Sequence, residues 1–179
     1  MTSDADAFSI RLLEEAKRFL EKADLVGGDE QDAYLHGALM VGFSALESHV
    51  NGIADELSAR HHSDLLASSL LLEKQVKLVK GQWQLASSDQ YFRLEDRISF
   101  LLRTYAQRDA ASYVWWSELM SGVRVRNSLV HPREAVQIKS SEVERFLRAI
   151  IAALNDIYLG VFSKGHPSFN RGLQSTLTF

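Results

Sequence analysis

The fold of this chain is organised around residues 124–132, which have the sequence Arg-Val-Arg-Asn-Ser-Leu-Val-His-Pro. In this stretch and just before it, apolar side chains recur every three or four residues, which predicts a helix with one face turned to the core. Arg126 lies on that apolar stripe, whose other members are Trp116, Leu119, Val123 and Val130. Because an unpaired buried charge costs several kcal/mol, the guanidinium needs a carboxylate or several carbonyl acceptors. We therefore expect Arg126 to face the interior, or a cleft or interface that interrupts it, with an acidic partner nearby.

Polar residues occupy a neighbouring face of the same helix. Arg124, Asn127 and His131 stand at i, i+3 and i+7, so their side chains are predicted to share one side. Pro132 disfavours the α conformation at the residue before it, which predicts His131 at the fraying or bent end of the helix. A semi-exposed imidazole at that end can exchange protons near neutral pH. Arg124 and Arg133 flank the group and are predicted to bind an anionic ligand.

The acidic partner of Arg126 is predicted on an earlier helix. Glu47 lies at the edge of that helix's apolar face, beside Phe43, Val50 and Ala54. If the two residues pair, Glu47 either holds Arg126 in position for a ligand or forms a structural ion pair with no chemistry. The remaining alternative is that Glu47 is only a boundary residue of the apolar face.

Helical signals dominate the rest of the chain. Gly27-Gly28 and Gly81 are predicted helix stops, and Ser87-Ser88-Asp89 is a predicted cap. Ser140 or Ser141 with Glu144 resembles a capping box before the last helix. There are only two prolines, no Asn-Gly turn and no repeat or low-complexity segment, so we predict an all-α, up-and-down bundle of about five to six helices. The predicted helices cover about Phe8–Leu25, Asp29–Arg60, Leu65–Val79, Tyr91–Tyr105, Ala110 or Ser112 to the motif, and Val143–Phe162.

Length and composition predict one domain over residues 1–165, followed by a tail over 166–179 that is irregular or docks on a neighbour. The chain has 179 residues, 46% of them hydrophobic, which is enough for a sizeable core. The absence of cysteine excludes disulfides, thiolate zinc sites and a cysteine nucleophile, and suits a cytoplasmic location. The acidic N-terminus lacks the pattern of a signal peptide, and the longest apolar run, residues 149–162, is too short to span a bilayer, so no membrane association is expected.

Charge is unevenly distributed along the chain. The net charge is −3, which argues against a broadly basic nucleic-acid binder. However, residues 1–62 carry five Lys/Arg and twelve Asp/Glu, whereas residues 63–179 carry fifteen and eleven. Residues 124–148 hold six basic and three acidic residues, so attraction for phosphate can be local to the motif. The alternative is that these side chains are simply solvated helix faces.

Other chemistry-bearing residues offer weaker signals. His61-His62 is predicted to be a surface turn, because adjacent histidines diverge and no metal-binding spacing accompanies them. Trp115-Trp116 could stack a base, but paired tryptophans in a helix are more typical of core or interface. His49 is predicted to be a boundary residue, and His166 has no predicted role. We expect no metal and no cofactor.

The motif resembles the signature of the HEPN superfamily (higher eukaryotes and prokaryotes nucleotide-binding). Arg126-Asn127 followed by His131 matches the Arg-x4-6-His pattern of that family, with its usual polar residue after the arginine. Residues 43–51, Phe-Ser-Ala-Leu-Glu-Ser-His-Val-Asn, are similar to the first long core helix of the family. The resemblance covers most of the chain in helix order, and it implies a HEPN-like bundle with a partly polar groove near this helix.

The resemblance implies a metal-independent endoribonuclease whose Arg-x4-His site lies at a homodimer interface, of the kind found in toxins and defence effectors. Arg126, Asn127 and His131 would be catalytic, with Arg124, Glu47 and Arg133 binding the RNA substrate. An antitoxin or a nucleotidyltransferase is the kind of partner it implies. The alternatives are a non-catalytic nucleotide-binding, RNA-binding or interaction module, and a purely structural helical protein. Dimer surface is predicted on Trp115, Ile150, Leu154, Ile157 and Val161.

Overall fold

The computed structural model describes residues 4–59 and 64–179, and within them the chain is mostly helical. The predicted helical bundle is therefore confirmed in outline, but a small antiparallel sheet corrects the all-α prediction. The predicted turn at His61-His62 lies outside the described residues. The elements are α1 (Asp4–Ala23), α2 (Gly28–Ala59), α3 (Leu65–Leu72), β1 (Lys74–Val79), β2 (Gln82–Asp89), α4 (Leu94–Tyr105), α5 (Trp116–Val130) and α6 (Ser140–Phe162), with 3₁₀ turns at Ala110–Ser112 and Phe169–Arg171.

Helices α2 and α6 form the centre of the core. Helix α1 packs along α2, while α6 contacts α1, α2, α4 and α5. The side chains predicted to supply dimer surface belong to this core: Trp115, Ile150, Leu154 and Ile157 are buried and Val161 is partly buried in the chain's own interior. That part of the dimer prediction is wrong, because the apolar face of α6 is already covered by other helices of the same chain.

Gly122 lets α5 lie close to the core. A β-carbon built at this position would be 3.0 Å from Cζ of Phe43 on α2 and 3.1 Å from Cγ of Phe146 on α6. The backbone of α5 at Gly122 therefore packs directly on two aromatic rings. Side chains one turn later on α5 lie beside the next turn of α2. This packing brings Arg126 to the level of Glu47.

A β-hairpin replaces the second half of the predicted third helix. Helix α3 ends at Leu72, where Glu73 adopts a left-handed conformation with φ of 53°. The two strands pair antiparallel across the two-residue turn Lys80-Gly81, whose φ angles of 50° and 82° suit the type I′ turn that favours hairpins. The helix predicted to reach Val79 is thus wrong. The predicted cap at Ser87-Ser88-Asp89 is also wrong, because these residues belong to β2 and α4 begins at Leu94.

Helix α6 begins at Ser140, three residues before its predicted start at Val143. The carboxylate of Glu142, rather than that of Glu144, accepts from the backbone N–H of Lys139 at 3.0 Å. Ser140 Oγ donates to Asp24 at 2.6 Å instead of capping its own helix. The last helix was therefore correctly predicted, but its capping residues were not.

The C-terminal segment docks on α1 of its own chain. Lys17 Nζ, which is fully buried, donates to the backbone carbonyl of Gln174 at 2.9 Å and pairs with Glu14 at 2.5 Å. Ser175 N–H donates to Glu21 at 2.8 Å. Burial raises the pKa of Glu21, but this hydrogen bond and the neighbouring Arg18 lower it, and the net shift is downward. The tail over residues 166–179 is therefore part of the folded domain. No helix in the described part of the chain is long and apolar enough to cross a membrane.

Candidate functional site

Arg126 meets the carboxylate predicted for it. Its Nη2 donates to Glu47 Oε1 at 2.6 Å, and its Nη1 donates to Asn127 Oδ1 at 3.2 Å. The side chains of Arg126 and Glu47 are 26% and 37% exposed, so the pair lies at the edge of the core rather than within it. Arg126 Nε is buried without a hydrogen-bond partner in the described structure. The predicted contact between the two residues is confirmed, and it joins α5 to α2.

A groove of about 710 Å³ opens above this pair, between α2, α4 and α5. Helix α2 contributes its floor and α5 contributes one wall. Among the predicted site residues, the groove brings together Glu47, Arg124, Arg126 and Asn127. A polar groove with guanidinium groups on one wall has the chemistry that phosphate binding requires.

The opposite wall contains an arginine that the sequence reasoning missed. Arg97 on α4 is only 4% exposed and donates to Glu73 at 3.1 Å, to Asn51 at 2.7 Å and to the backbone carbonyl of Leu71 at 2.7 Å. Burial lowers the pKa of Arg97, and nearby carboxylates, Glu73 first, oppose that shift. The signal was present in the sequence, since Arg97 follows Leu94 by three residues on an apolar stripe, as Arg126 follows Val123.

The charges around the groove are almost balanced. Among the described residues that line it are four arginines and three glutamates. Each glutamate has an arginine partner: Glu47 with Arg126, Glu73 with Arg97, and Glu95 with Arg93 at 3.7 Å. Arg124 is exposed and forms no ion pair with any described residue. The groove therefore carries one uncompensated positive charge, at the position predicted to bind an anion.

His131 and Arg133 lie outside this groove. His131 is the first residue after α5, and its backbone N–H donates to the carbonyl of Asn127 at 2.9 Å. Its side chain is exposed, which confirms the prediction that Pro132 would leave it at the helix end. Neither His131 nor Arg133 lines the groove, and Val130, predicted to continue the buried stripe, is also exposed. Within a single chain, the imidazole of His131 therefore lies apart from the arginine-lined groove.

A second polar cluster lies in the core, away from the groove. His49, predicted to be a boundary residue, is buried, and its Nδ1 lies 3.2 Å from the hydroxyl of Tyr158. The ring of His166 stacks edge-on against both, with ring centroids 4.8 Å from each. Burial, with a smaller contribution from Lys17, lowers the pKa of His166 to about 4. No group of three or more potential metal-ligating side chains occurs within residues 4–59 and 64–179.

The chain is thus a mostly helical protein with an arginine-lined groove that suits phosphate, and with an exposed histidine, His131, at the end of α5. No protein-family model, curated protein or solved structure matches this chain.

Proposed function

We propose that this protein is a metal-independent endoribonuclease of the HEPN type, acting as a homodimer. The 2′-oxygen of a ribose attacks the adjacent phosphorus, the bond from phosphorus to the 5′-oxygen breaks, and the products are a 2′,3′-cyclic phosphate and a 5′-hydroxyl. This reaction needs a proton acceptor, a proton donor and a cation beside the phosphorane oxygens. His131 and Arg126 are the residues of this chain that suit those roles.

The observation that carries the proposal is the charge inventory of the groove. The three glutamates of the groove are matched by three arginines, which leaves Arg124 for an anion in the groove that Arg126 also lines. Arg126 is held by Glu47 and Asn127, so its orientation is fixed before a phosphate arrives. A pre-oriented guanidinium stabilises developing charge more effectively than one that must first reorganise.

Homodimerisation supplies the second proton-transfer group. One imidazole cannot serve as both base and acid in a single concerted step. In a two-fold dimer, His131 accepts the proton of the 2′-hydroxyl while His131 of the partner subunit donates a proton to the leaving 5′-oxygen. The exposed position of His131 at the end of α5 suits such a site between two chains. Arg133, exposed two residues later, would bind a flanking phosphate.

A specific observation favours a second candidate, a non-catalytic nucleotide-binding or RNA-binding module. His131 does not line the groove that holds Arg124 and Arg126, so in a single chain those arginines bind an anion without an imidazole beside it. In either case the role as a toxin or defence effector, with an antitoxin or nucleotidyltransferase as partner, follows only from the HEPN resemblance.

The test is a ribonuclease assay on mixed cellular RNA in the presence of EDTA. We expect the wild type to cleave, and His131→Ala and Arg126→Ala to lose about a hundredfold or more in rate, as is typical when an acid–base or charge-stabilising group is removed. Arg148→Ala is the matched control, because Arg148 also pairs with a glutamate but lies outside the groove. If the folded, dimeric wild type binds RNA but cuts none, the binding module becomes the better account of the function than the nuclease.

A further inference from the structure

The β-hairpin has an exposed apolar face. Leu78 and Trp83 pair directly across the two strands, and they are 58% and 65% exposed. Val76 and Leu85 form the next pair on the same face and are partly buried near α3. A tryptophan this exposed has no role in the core of its own chain, in contrast to the buried Trp115.

The same hairpin is basic. Residues 74–89 contain three Lys/Arg and one Asp/Glu, in a chain whose net charge is −3. The one acidic residue, Asp89, pairs with Lys74 across the base of the hairpin. Lys77 and Lys80 are exposed and form no ion pair with a described residue. Lys80 lies in the turn at the tip of the hairpin, and Lys77, which pairs with Gln84, lies on the face opposite Leu78 and Trp83, because successive strand residues alternate between faces. An exposed aromatic ring with cations nearby is the combination that single-stranded nucleic acids require, because bases stack on the ring and phosphates contact the cations.

The hairpin is rooted in the wall of the arginine-lined groove. Glu73, at its first end, pairs with Arg97 and accepts from the backbone N–H of Phe92 at 3.2 Å. The segment after its second end lines the groove with Tyr91, which is 82% exposed, and with Arg93. Aromatic and basic groups therefore continue from the hairpin to the groove mouth.

We propose that the hairpin Lys74–Asp89 is an arm that binds single-stranded RNA. Trp83 stacks on an unpaired base, and Lys80 contacts a phosphate at the tip of the hairpin. Lys77 contacts the next phosphate where the strand crosses the edge of the hairpin, and the strand then passes Tyr91 to reach Arg124 and Arg126. A duplex does not fit this role, because its bases are stacked on one another and their faces are not accessible. The inference rests on the proposed function in that it names the substrate class of the same groove, but it concerns binding and not cleavage.

Intrinsic fluorescence tests the proposal directly, because Trp83 is the most exposed of the three tryptophans. A short single-stranded oligoadenylate is titrated into the His131→Ala protein, so that no cleavage occurs. We expect quenching that is absent in Trp83→Ala, an affinity loss of about tenfold in that variant, and near-normal binding in Trp83→Phe, which keeps a stacking ring. Circular dichroism verifies that each variant is folded.

The two lysines are tested by salt dependence. Lys77→Ala/Lys80→Ala is expected to reduce the slope of log affinity against log salt by about 1.4, since each phosphate contact to a single strand contributes roughly 0.7. Arg103→Ala/Lys164→Ala, which removes two exposed cations outside the groove and outside residues 124–148, is expected to leave the slope near that of the parent. An RNA duplex of the same length is expected to bind more weakly than the single strand.

Equal binding by the parent protein, Trp83→Ala and the double lysine variant would overturn the proposal. The proposal would also be overturned if Trp83→Ala lost self-association or protein binding but kept RNA binding. That result would assign the apolar face to a protein partner. If the arm binds RNA as expected but the wild type does not cleave it, only the proposed nuclease function fails. If the wild type cleaves RNA and the arm variants bind it normally, only this inference fails.

Discussion

The guanidinium of Arg126 and the carboxylate of Glu47 meet at 2.6 Å on the floor of a groove, with both side chains partly open to solvent. On the opposite wall, Arg97 is buried and has three acceptors within 3.1 Å. The two arginines therefore differ in what they do. Arg97 holds α3, α4 and the hairpin together, whereas Arg126 remains accessible to a ligand.

Replacing Arg126 with alanine is expected to change stability little. A partly exposed ion pair contributes about 1 kcal/mol or less, because water screens the charges. In urea unfolding, we expect Arg126→Ala to lose unfolding free energy of that size, as Arg148→Ala does. Only the Arg126 variant is expected to lose most of its RNA cleavage or binding. A loss of several kcal/mol on unfolding would instead make the pair with Glu47 structural.

Removing the partner of Arg97 is expected to cost more. Glu73→Gln leaves the buried guanidinium of Arg97 without its direct ion-pair partner, which destabilises proteins by about 3 kcal/mol. Glu95→Gln is the matched control, because its partner Arg93 is exposed and 3.7 Å away, so a change within about 0.5 kcal/mol is expected. Equal unfolding free energies for the two variants would contradict the structural role of the Glu73–Arg97 pair.

Stability is expected to fall with acidification through His166. The folded-state pKa of about 4 lies below the ordinary value of 6.5, because burial disfavours the imidazolium. His166 Nδ1 also accepts the backbone N–H of Ser168 at 3.3 Å, which requires the unprotonated nitrogen. Between pH 6.5 and 4 the unfolded state therefore binds more protons, and stability is lost as pH falls through that window.

The pKa shift of His166 corresponds to a loss of about 3 kcal/mol in the free energy of unfolding by pH 4. Urea unfolding of the wild type and His166→Gln at several pH values measures it, and the variant is expected to show a flatter profile above pH 4.5. Below that value Glu21, whose pKa is lowered, also contributes, since its stabilisation is lost as it protonates. Parallel profiles for the two proteins would show that His166 does not titrate in this way.

Deleting residues 173–179 is expected to destabilise the domain. The deletion leaves buried Lys17 without the Gln174 carbonyl and removes hydrogen bonds that Ser175 and Thr176 make to Glu14. At about 1 kcal/mol for each hydrogen bond, the expected loss is about 3 kcal/mol or more in urea unfolding. An unchanged unfolding midpoint would mean that the docked tail does not stabilise the bundle.

The sequence was sufficient to predict the Arg126–Glu47 contact, because a charged residue on an apolar stripe demands a partner and helix geometry limits the choice. The same argument applies to Arg97, which follows Leu94 on the apolar stripe of α4. The hairpin contradicts the prediction of Gly81 as a helix stop. Its signal is present in the sequence, since Val76, Leu78, Trp83 and Leu85 alternate with the period of strands around a two-residue turn.

Other features depend on tertiary packing and have no local signal. His49 and His166 meet only because the C-terminal segment folds back beside α2 and α6. The groove reaches along α5 only as far as Asn127, and His131 lies beyond it, just after the end of the helix. Periodicity predicts which face of a helix is buried, but not which distant segment covers it.

The most direct test of the central claim is to map the ends of the RNA fragments produced in EDTA by wild type and His131→Ala. The account predicts 2′,3′-cyclic phosphate and 5′-hydroxyl ends from the wild type, no cleavage of a matched RNA with 2′-deoxyribose at the cut position, and no such fragments from His131→Ala. Cleavage that leaves 3′-hydroxyl ends, or that persists in His131→Ala, would contradict it.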